Sequence, residues 1–204
     1  GSLKRLNLDN VDILLIHDPD NHFQEAMDGA YRALSELRSQ GVVKAIGAGM
    51  NQWEMEARLA REGDFDCFLL AGRYTLLDHQ ALPEFLPLCQ EKNISVIIGG
   101  PYNSGILASD LTESATFNYV AAQPEVLDRA RRCKDVCDRH GVPLKAAALQ
   151  FVFGHPAVTA AIPGPRSAAE AEENFQMMAH SIPAALWEEL RHEGLIPAEA
   201  PTPA

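Results

Sequence analysis

Val11-Asp12-Ile13-Leu14-Leu15-Ile16-His17-Asp18-Pro19 is an almost unbroken apolar run that halts at a histidine, an aspartate and a proline. A run of this length between polar and turn residues reads as a strand buried on both faces. Strands of that kind belong to parallel sheets covered by helices, and there chemistry gathers where the strands reach their carboxyl ends. His17 stands at that end, with Asp18 beside it.

Outward from this strand the chain alternates. Phe23, Ala26, Met27, Ala30, Leu34 and Leu37 recur at helical spacing, and Gln40-Gly41 supplies the stop. Val42 to Ala48 reads as a second strand, Trp53 to Arg61 as a helix and Phe65 to Leu70 as a third strand. Leu82 to Lys92 follows as a helix and Ile94 to Ile98 as a fourth strand. Pro101 to Ala122 has no clear period, so residues 101–122 read as a long loop, either a substrate-facing insertion or a disordered stretch. Glu125 to His140 and Leu144 to Phe153 read as helices, and Val158 to Ile162 as the fifth strand.

Ser167-Ala168-Ala169-Glu170 matches a capping box, which opens a helix carried on by Ala168, Ala171, Phe175, Met178 and Ala179. A last helix runs from Pro183 to about His192, and residues 197–204 are expected to form a flexible tail. Five strands alternating with helices imply an α/β domain spanning residues 1–204, its parallel sheet wrapped by helices. An open doubly wound sheet and a closed eight-stranded barrel both satisfy that alternation. The glycine turn of the open dinucleotide fold is missing, because Gly47 and Gly49 begin its spacing but Gln52 ends it.

The chain has 204 residues, 47% hydrophobic and 22% charged, which is enough for one substantial core. A formal net charge of −11 argues against nucleic acid or an anionic membrane as partner, since either requires clustered Lys and Arg. No segment has the length and apolarity of a membrane span or the make-up of a signal peptide, and four scattered cysteines fit a reducing cytoplasm. Cys133 and Cys137 share one helix face and read as small core groups, so no metal site is expected. Nothing in the sequence marks an oligomeric state.

Three blocks resemble the aldo-keto reductase family of NAD(P)-dependent oxidoreductases, which are built on the TIM (β/α)8 barrel. Val11 to His17 is similar to the family's fourth strand, which ends in an active-site histidine. Gly41 to Gly47, followed by Asn51, is similar to its fifth strand and cofactor-amide loop. Ile162-Pro163-Gly164 through Glu173-Asn174 is similar to its last strand and helix, where adenosine is held. Gly47 to Trp53 and Leu69 to Leu77 further resemble the subgroup of aldose 1-dehydrogenases acting on L-fucose, D-arabinose and related sugars. The resemblance implies that this chain holds strands four to eight with their helices. Strands one to three, with the family's catalytic Asp, Tyr and Lys, are expected ahead of residue 1, in keeping with the roughly 250 residues of a whole barrel.

On this resemblance His17 is the catalytic residue, a neutral imidazole donating a hydrogen bond to the reacting oxygen; without it the residues favour a buried histidine bonded to a backbone carbonyl. Asp18 either orients a sugar hydroxyl or ends the strand. Asn51 pairs with the nicotinamide carboxamide or caps the next helix. Gly99 and Gly100 admit a flat ligand close to the backbone, or form an ordinary turn. The family's Gln and ring-stacking Tyr align with Ala71 and Gly99, so two nicotinamide contacts are absent, and Tyr102 is the candidate replacement, its alternative being a rim tyrosine.

Gly164, Arg166 and Ser167 lead into a helix start that favours phosphate. Glu173 and Asn174 match adenine contacts, or are solvated helix residues. Glu170 stands where NADP-preferring members carry positive charge, so the expected cofactor is NAD, with NADP the lesser possibility through Arg166. The implied activity is oxidation of an aldose at C1 to the lactone, with a small sugar as the partner. Oxidation of pyridoxal and a non-catalytic nucleotide- or protein-binding barrel remnant are the competing readings.

Overall fold

The computed structural model describes residues 1–203. Its strands are β1 (Ile13–His17), β2 (Ala45–Met50), β3 (Cys67–Ala71), β4 (Ser95–Gly99), a short hairpin of β5 (Thr116–Phe117) and β6 (Val120–Ala121), and β7 (Val158–Ile162). Five of them form one parallel sheet in the order β1-β2-β3-β4-β7, while β5 and β6 pair antiparallel by themselves. This is the expected α/β architecture. Successive parallel strands require crossovers, and helices supply them.

α1 (Ser2–Leu6) precedes β1. Between β1 and β2, α2 (Phe23–Glu25) passes through a π-helical stretch, Ala26–Tyr31, into α3 (Arg32–Ser39). α4 (Trp53–Glu62) follows β2 and α5 (Phe85–Glu91) follows β3. α6 (Pro124–Arg139) and α7 (Leu144–Phe151) stand between the hairpin and β7, and α8 (Ala168–Ala179) and α9 (Ala184–His192) end the series.

Alternation along the strands sorts their residues between two faces. Ile46, Ala48, Phe68, Leu70, Val96 and Ile98 are fully buried, and Phe68 lies between Phe65 and Phe85 at ring distances of 5.4 and 5.8 Å. The opposite face carries Gly47, Gly49, Leu69, Ala71 and Gly99. A Cβ on Gly47 would stand 1.9 Å from the Cys67 carbonyl oxygen and 2.9 Å from Leu15, so no other residue fits there without moving β2 away from β3.

Several expectations change. β1 is half-buried rather than buried on both faces, because β2 is its only sheet neighbour among the described residues. Phe175 and Met178 continue a helical period, yet both are exposed; α8 packs against α7 and buries Asn174 instead. Residues 101–122 are an ordered excursion that buries Ile106, Leu107, Leu111 and Ala115. The tail from 197 to 203, expected to be flexible, is pinned: Arg191 Nη2 donates to Ala200 O at 3.0 Å and to Thr202 Oγ1 at 2.9 Å, and Ala200 is buried. Ala204, the last residue of that expected tail, lies outside the described residues. Cys133 and Cys137 pack inside α6 as expected, and burial pushes both thiols up to about 12.

Glu56 is a polar residue on the buried face of α4, fully enclosed, with neither carboxyl oxygen in a regular hydrogen bond. Burial raises its pKa well above the ordinary value, with weak opposition from the Met50 backbone N–H. The folded chain therefore retains a proton that the unfolded chain releases near pH 4.5. Its contribution to stability is present below that pH and falls as pH rises toward the folded pKa. Glu56→Gln is expected to gain stability over the wild type above pH 4.5, by up to about 1.4 kcal/mol per pH unit, and to match it near pH 4. Urea unfolding across pH 4 to 8 measures the gap; a constant gap over that range contradicts the assignment.

Candidate functional site

Because all five strands run the same way, their carboxyl ends share one end of the sheet. β1 ends at His17, β2 leads into Asn51, β3 ends at Ala71 before Gly72, β4 at Gly99 before Gly100, and β7 at Ile162. A cleft of about 210 Å³ opens there. Its floor is Leu69, Ala71, Gly72, Gly99 and Gly100, and its walls are Asn51, Asn103, Ser104, Asn118, Tyr119 and Ile162. Sites that enclose whole drug-sized ligands measure about 300–1,000 Å³, so this volume suits a single ring.

Of the expected cofactor residues, Asn51, Gly99 and Gly100 meet in this cleft. Asn51 Nδ2 donates to Ala71 O at 2.8 Å, which fixes the amide against β3 and leaves its oxygen and second N–H for a ligand. The helix cap falls on Gln52, so Asn51 does not serve as the cap of α4. Gly100 turns with φ 59°, a backbone that favours glycine. At Gly99 a Cβ would press against Leu69 Cδ2 at 3.1 Å, so a larger side chain would crowd the floor.

His17 and Asp18 stand one strand to the side of the cleft. The His17 side chain is 89% exposed, with Nε2 3.5 Å from Asp18 Oδ2. Asp18 takes φ 46° and its N–H bonds to Gly49 O at 3.1 Å, so it both turns the chain off the sheet and keeps a carboxylate beside the imidazole. Among the described residues the histidine side chain is uncovered and faces the Asp18 carboxylate.

Tyr102 is corrected by the structure. Its ring is buried away from the cleft, and its hydroxyl donates to Asn174 Oδ1 at 2.8 Å, so it offers no stacking surface to a nicotinamide. Burial, followed by the Glu173 carboxylate, pushes the phenol upward. Lys145 Nζ pairs with Glu173 Oε2 at 2.5 Å. Glu173 and Asn174, expected to meet adenine, thus tie α8 to α7 and to the turn after β4. At the start of α8, Gly164 turns with φ 70°, and Ser167 Oγ accepts from Glu170 N at 3.2 Å. Glu170 Oε2 in turn accepts from Arg166 N at 2.7 Å, and Oε1 from Arg166 Nη2 at 3.1 Å. The anion-attracting donors and the Arg166 guanidinium already face a carboxylate of the chain.

Four residues of the wall come from the excursion after β4. Asn103 is buried, donates from Nδ2 to Gly72 O at 3.3 Å and accepts from the Thr75 hydroxyl, which joins the turns after β3 and β4. Ser104, Asn118 and Tyr119 complete the rim. The alternation Thr116-Phe117-Asn118-Tyr119-Val120 is the sequence signal for their hairpin, but it lacks the usual glycine. Among the described residues no group of three or more His, Cys, Asp or Glu is placed to hold a metal ion.

The model of the aldo/keto reductase family matches residues 1–192. The chain belongs to the aldo/keto reductase family. It is 40% identical to a pyridoxal 4-dehydrogenase of Microbacterium luteolum and 39% identical to a D-threo-aldose 1-dehydrogenase of a Pseudomonas species, in each case over 96% of this chain. It spans about 60% of the length of these curated relatives. The holo form of an aldo-keto reductase from Bacillus halodurans superposes with TM-score 0.75 at 23% identity, covering 98% of this chain and 65% of that one. This confirms the fold: the five parallel strands match part of an aldo-keto reductase barrel. Among the described residues no helix is long and apolar enough to cross a membrane.

If Tyr102 is a brace, Tyr102→Phe removes a buried hydrogen bond and leaves Asn174 Oδ1 without its partner. The expected loss is about 1–3 kcal/mol of unfolding free energy. An unchanged urea midpoint contradicts that role.

Proposed function

We propose that the chain carries the cofactor- and oxygen-binding part of an aldose 1-dehydrogenase, which oxidises an L-fucose- or D-arabinose-type sugar at C1 to the lactone with NAD. Bound NAD supplies the hydride acceptor for the C1–H bond. His17 donates a hydrogen bond to the C1 oxygen and steadies it as its proton leaves. The base that takes this proton belongs, by the family resemblance, to the Asp, Tyr and Lys expected ahead of residue 1. Asp18 beside the imidazole meets a sugar hydroxyl. Asn51 holds the nicotinamide carboxamide, Gly99 and Gly100 admit its ring, and Gly164, Ser167, Glu173 and Asn174 border the adenosine end. Four reduced cysteines favour the cytoplasm.

The observation that supports a sugar above all is the rim of the cleft, where Ser104 and Asn118 add a hydroxyl and an amide to the nicotinamide seat formed by Asn51, Gly99 and Gly100. A polyhydroxylated ring lying over the nicotinamide meets such a rim with hydrogen-bond partners for its oxygens. The cleft fits the cofactor because its glycine floor lets a flat ring approach the backbone. Pyridoxal is the second reading, supported by the relative of that activity and by the same floor.

A substrate panel on the complete gene product tests the proposal. NADH formation with L-fucose or D-arabinose is expected, and His17→Ala is expected to lower kcat by about 10²–10³-fold. Turnover of pyridoxal alone overturns the sugar; turnover of neither leaves the non-catalytic reading. For the cofactor, the Arg166–Glu170 and Lys145–Glu173 pairs leave no free cation at the start of α8 among the described residues. NAD is therefore expected to bind about tenfold tighter than NADP, a difference of about 1.4 kcal/mol. Tighter NADP binding that Arg166→Ala abolishes contradicts this assignment.

A further inference from the structure

The two residues at the tip of the β5–β6 hairpin, Asn118 and Tyr119, have φ 51° and 65°. A two-residue turn of this hand ordinarily takes Asn-Gly, because the left-handed region crowds any larger side chain. Tyrosine in the second place is strained, and packing among the described residues does not explain it: the residue is 85% exposed. The chain nevertheless braces it. Tyr119 N donates to Ser104 Oγ at 3.0 Å, Thr116 Oγ1 donates to Ser104 O at 2.9 Å, and Arg73 Nη1 donates to Asn118 Oδ1 at 3.0 Å. Ser104 itself has φ 57°, so two strained turns hold each other in place.

Among the described residues Tyr119 is also the one aromatic residue lining the cleft. Strain of this kind persists where the surroundings enforce it, and it clusters at ligand-binding sites. An exposed, strained ring at the mouth of a cleft whose floor seats the nicotinamide gains its packing from what binds over that nicotinamide. With its oxygen held by Arg73, Asn118 has two amide N–H donors to offer. A ligand matched to this pair presents C–H bonds to an aromatic face and oxygen acceptors to an amide.

We infer that Tyr119 determines substrate specificity by lying over the C–H face of the bound aldose, while Asn118 donates to its hydroxyl oxygens. This inference rests on the aldose reading of the cleft.

The test compares Tyr119→Phe and Tyr119→Gly in the complete gene product. Glycine removes the ring and relieves the strain, so Tyr119→Gly is expected to melt at or above the wild-type temperature. It is expected to lose about five- to tenfold in kcat/KM for the aldose, while the NADH dissociation constant, read by fluorescence titration, stays within about twofold. Tyr119→Phe is expected to keep kcat/KM within about threefold of wild type, because the face is retained. A drop in melting temperature for Tyr119→Gly would make the ring a structural brace and overturn the inference. Weakened NADH binding with an unchanged aldose KM would put the ring over the cofactor and overturn it as well, and so would an unchanged kcat/KM. A wild type that oxidises no aldose removes the reading beneath it, an outcome distinct from all of these.

Discussion

The parallel hydrogen-bonded ladder from β1 through β2, β3 and β4 to β7 governs the rest of this molecule. Register pairs Ala71 with Gly99 and Gly99 with Ile162, so β3, β4 and β7 finish at the same level, while Met50 pairs with Leu70 and His17 with Gly49, which ends β2 one residue and β1 two residues short of it. The ladder holds because β2 approaches β3 so closely at Gly47 that only a hydrogen atom fits between them. Small residues on that face have a second consequence. Where Ala71, Gly72, Gly99 and Gly100 come together, the absence of side chains is the cleft.

Above the ladder, the turns are fixed by side chains reaching across rather than by their own regularity. Asn51 ties to β3, Asn103 joins the turns after β3 and β4, Tyr102 and Lys145 anchor to α8, and Ser104 and Arg73 hold the hairpin. Each bond leaves part of an amide or a backbone segment committed and another part free. The free parts, at Asn51 and Asn118, face the cleft, which is how structural bracing and ligand recognition coexist in the same residues. Glu56 is the counter-example, a buried carboxyl with no comparable partner, and burial at that position weakens the fold as pH rises.

The strands and long helices were legible because their apolar periods come from burial that the structure realises: Val158 to Ile162 and the Ser167 cap are found where the pattern puts them. The π-helical stretch at Ala26–Tyr31 turns Ala26 and Met27 inward but leaves Ala30 exposed, a shift that the apolar period does not show. Phe175 misled for the opposite reason: helical spacing says that residues share a face but not what covers it. In the site, Asn51 and the glycine pair were readable from their place after a strand. Tyr102 was misassigned because proximity to Gly99 along the chain does not give the direction of a side chain, and the turn carries it outward to Asn174. Asn118 and Tyr119 went unread because their turn breaks the rule by which hairpins are recognised.

The central claim is that the carboxyl ends of these strands hold a nicotinamide ring on the Gly99–Gly100 floor with His17 at the reacting oxygen. A crystal structure of the complete gene product with NAD and an unreactive aldose analogue tests this most directly. The account predicts the carboxamide on Asn51 and the analogue's C1 oxygen within hydrogen-bond distance of His17 Nε2. A nicotinamide bound away from Gly99 and Gly100, or a C1 oxygen out of reach of His17, would contradict it.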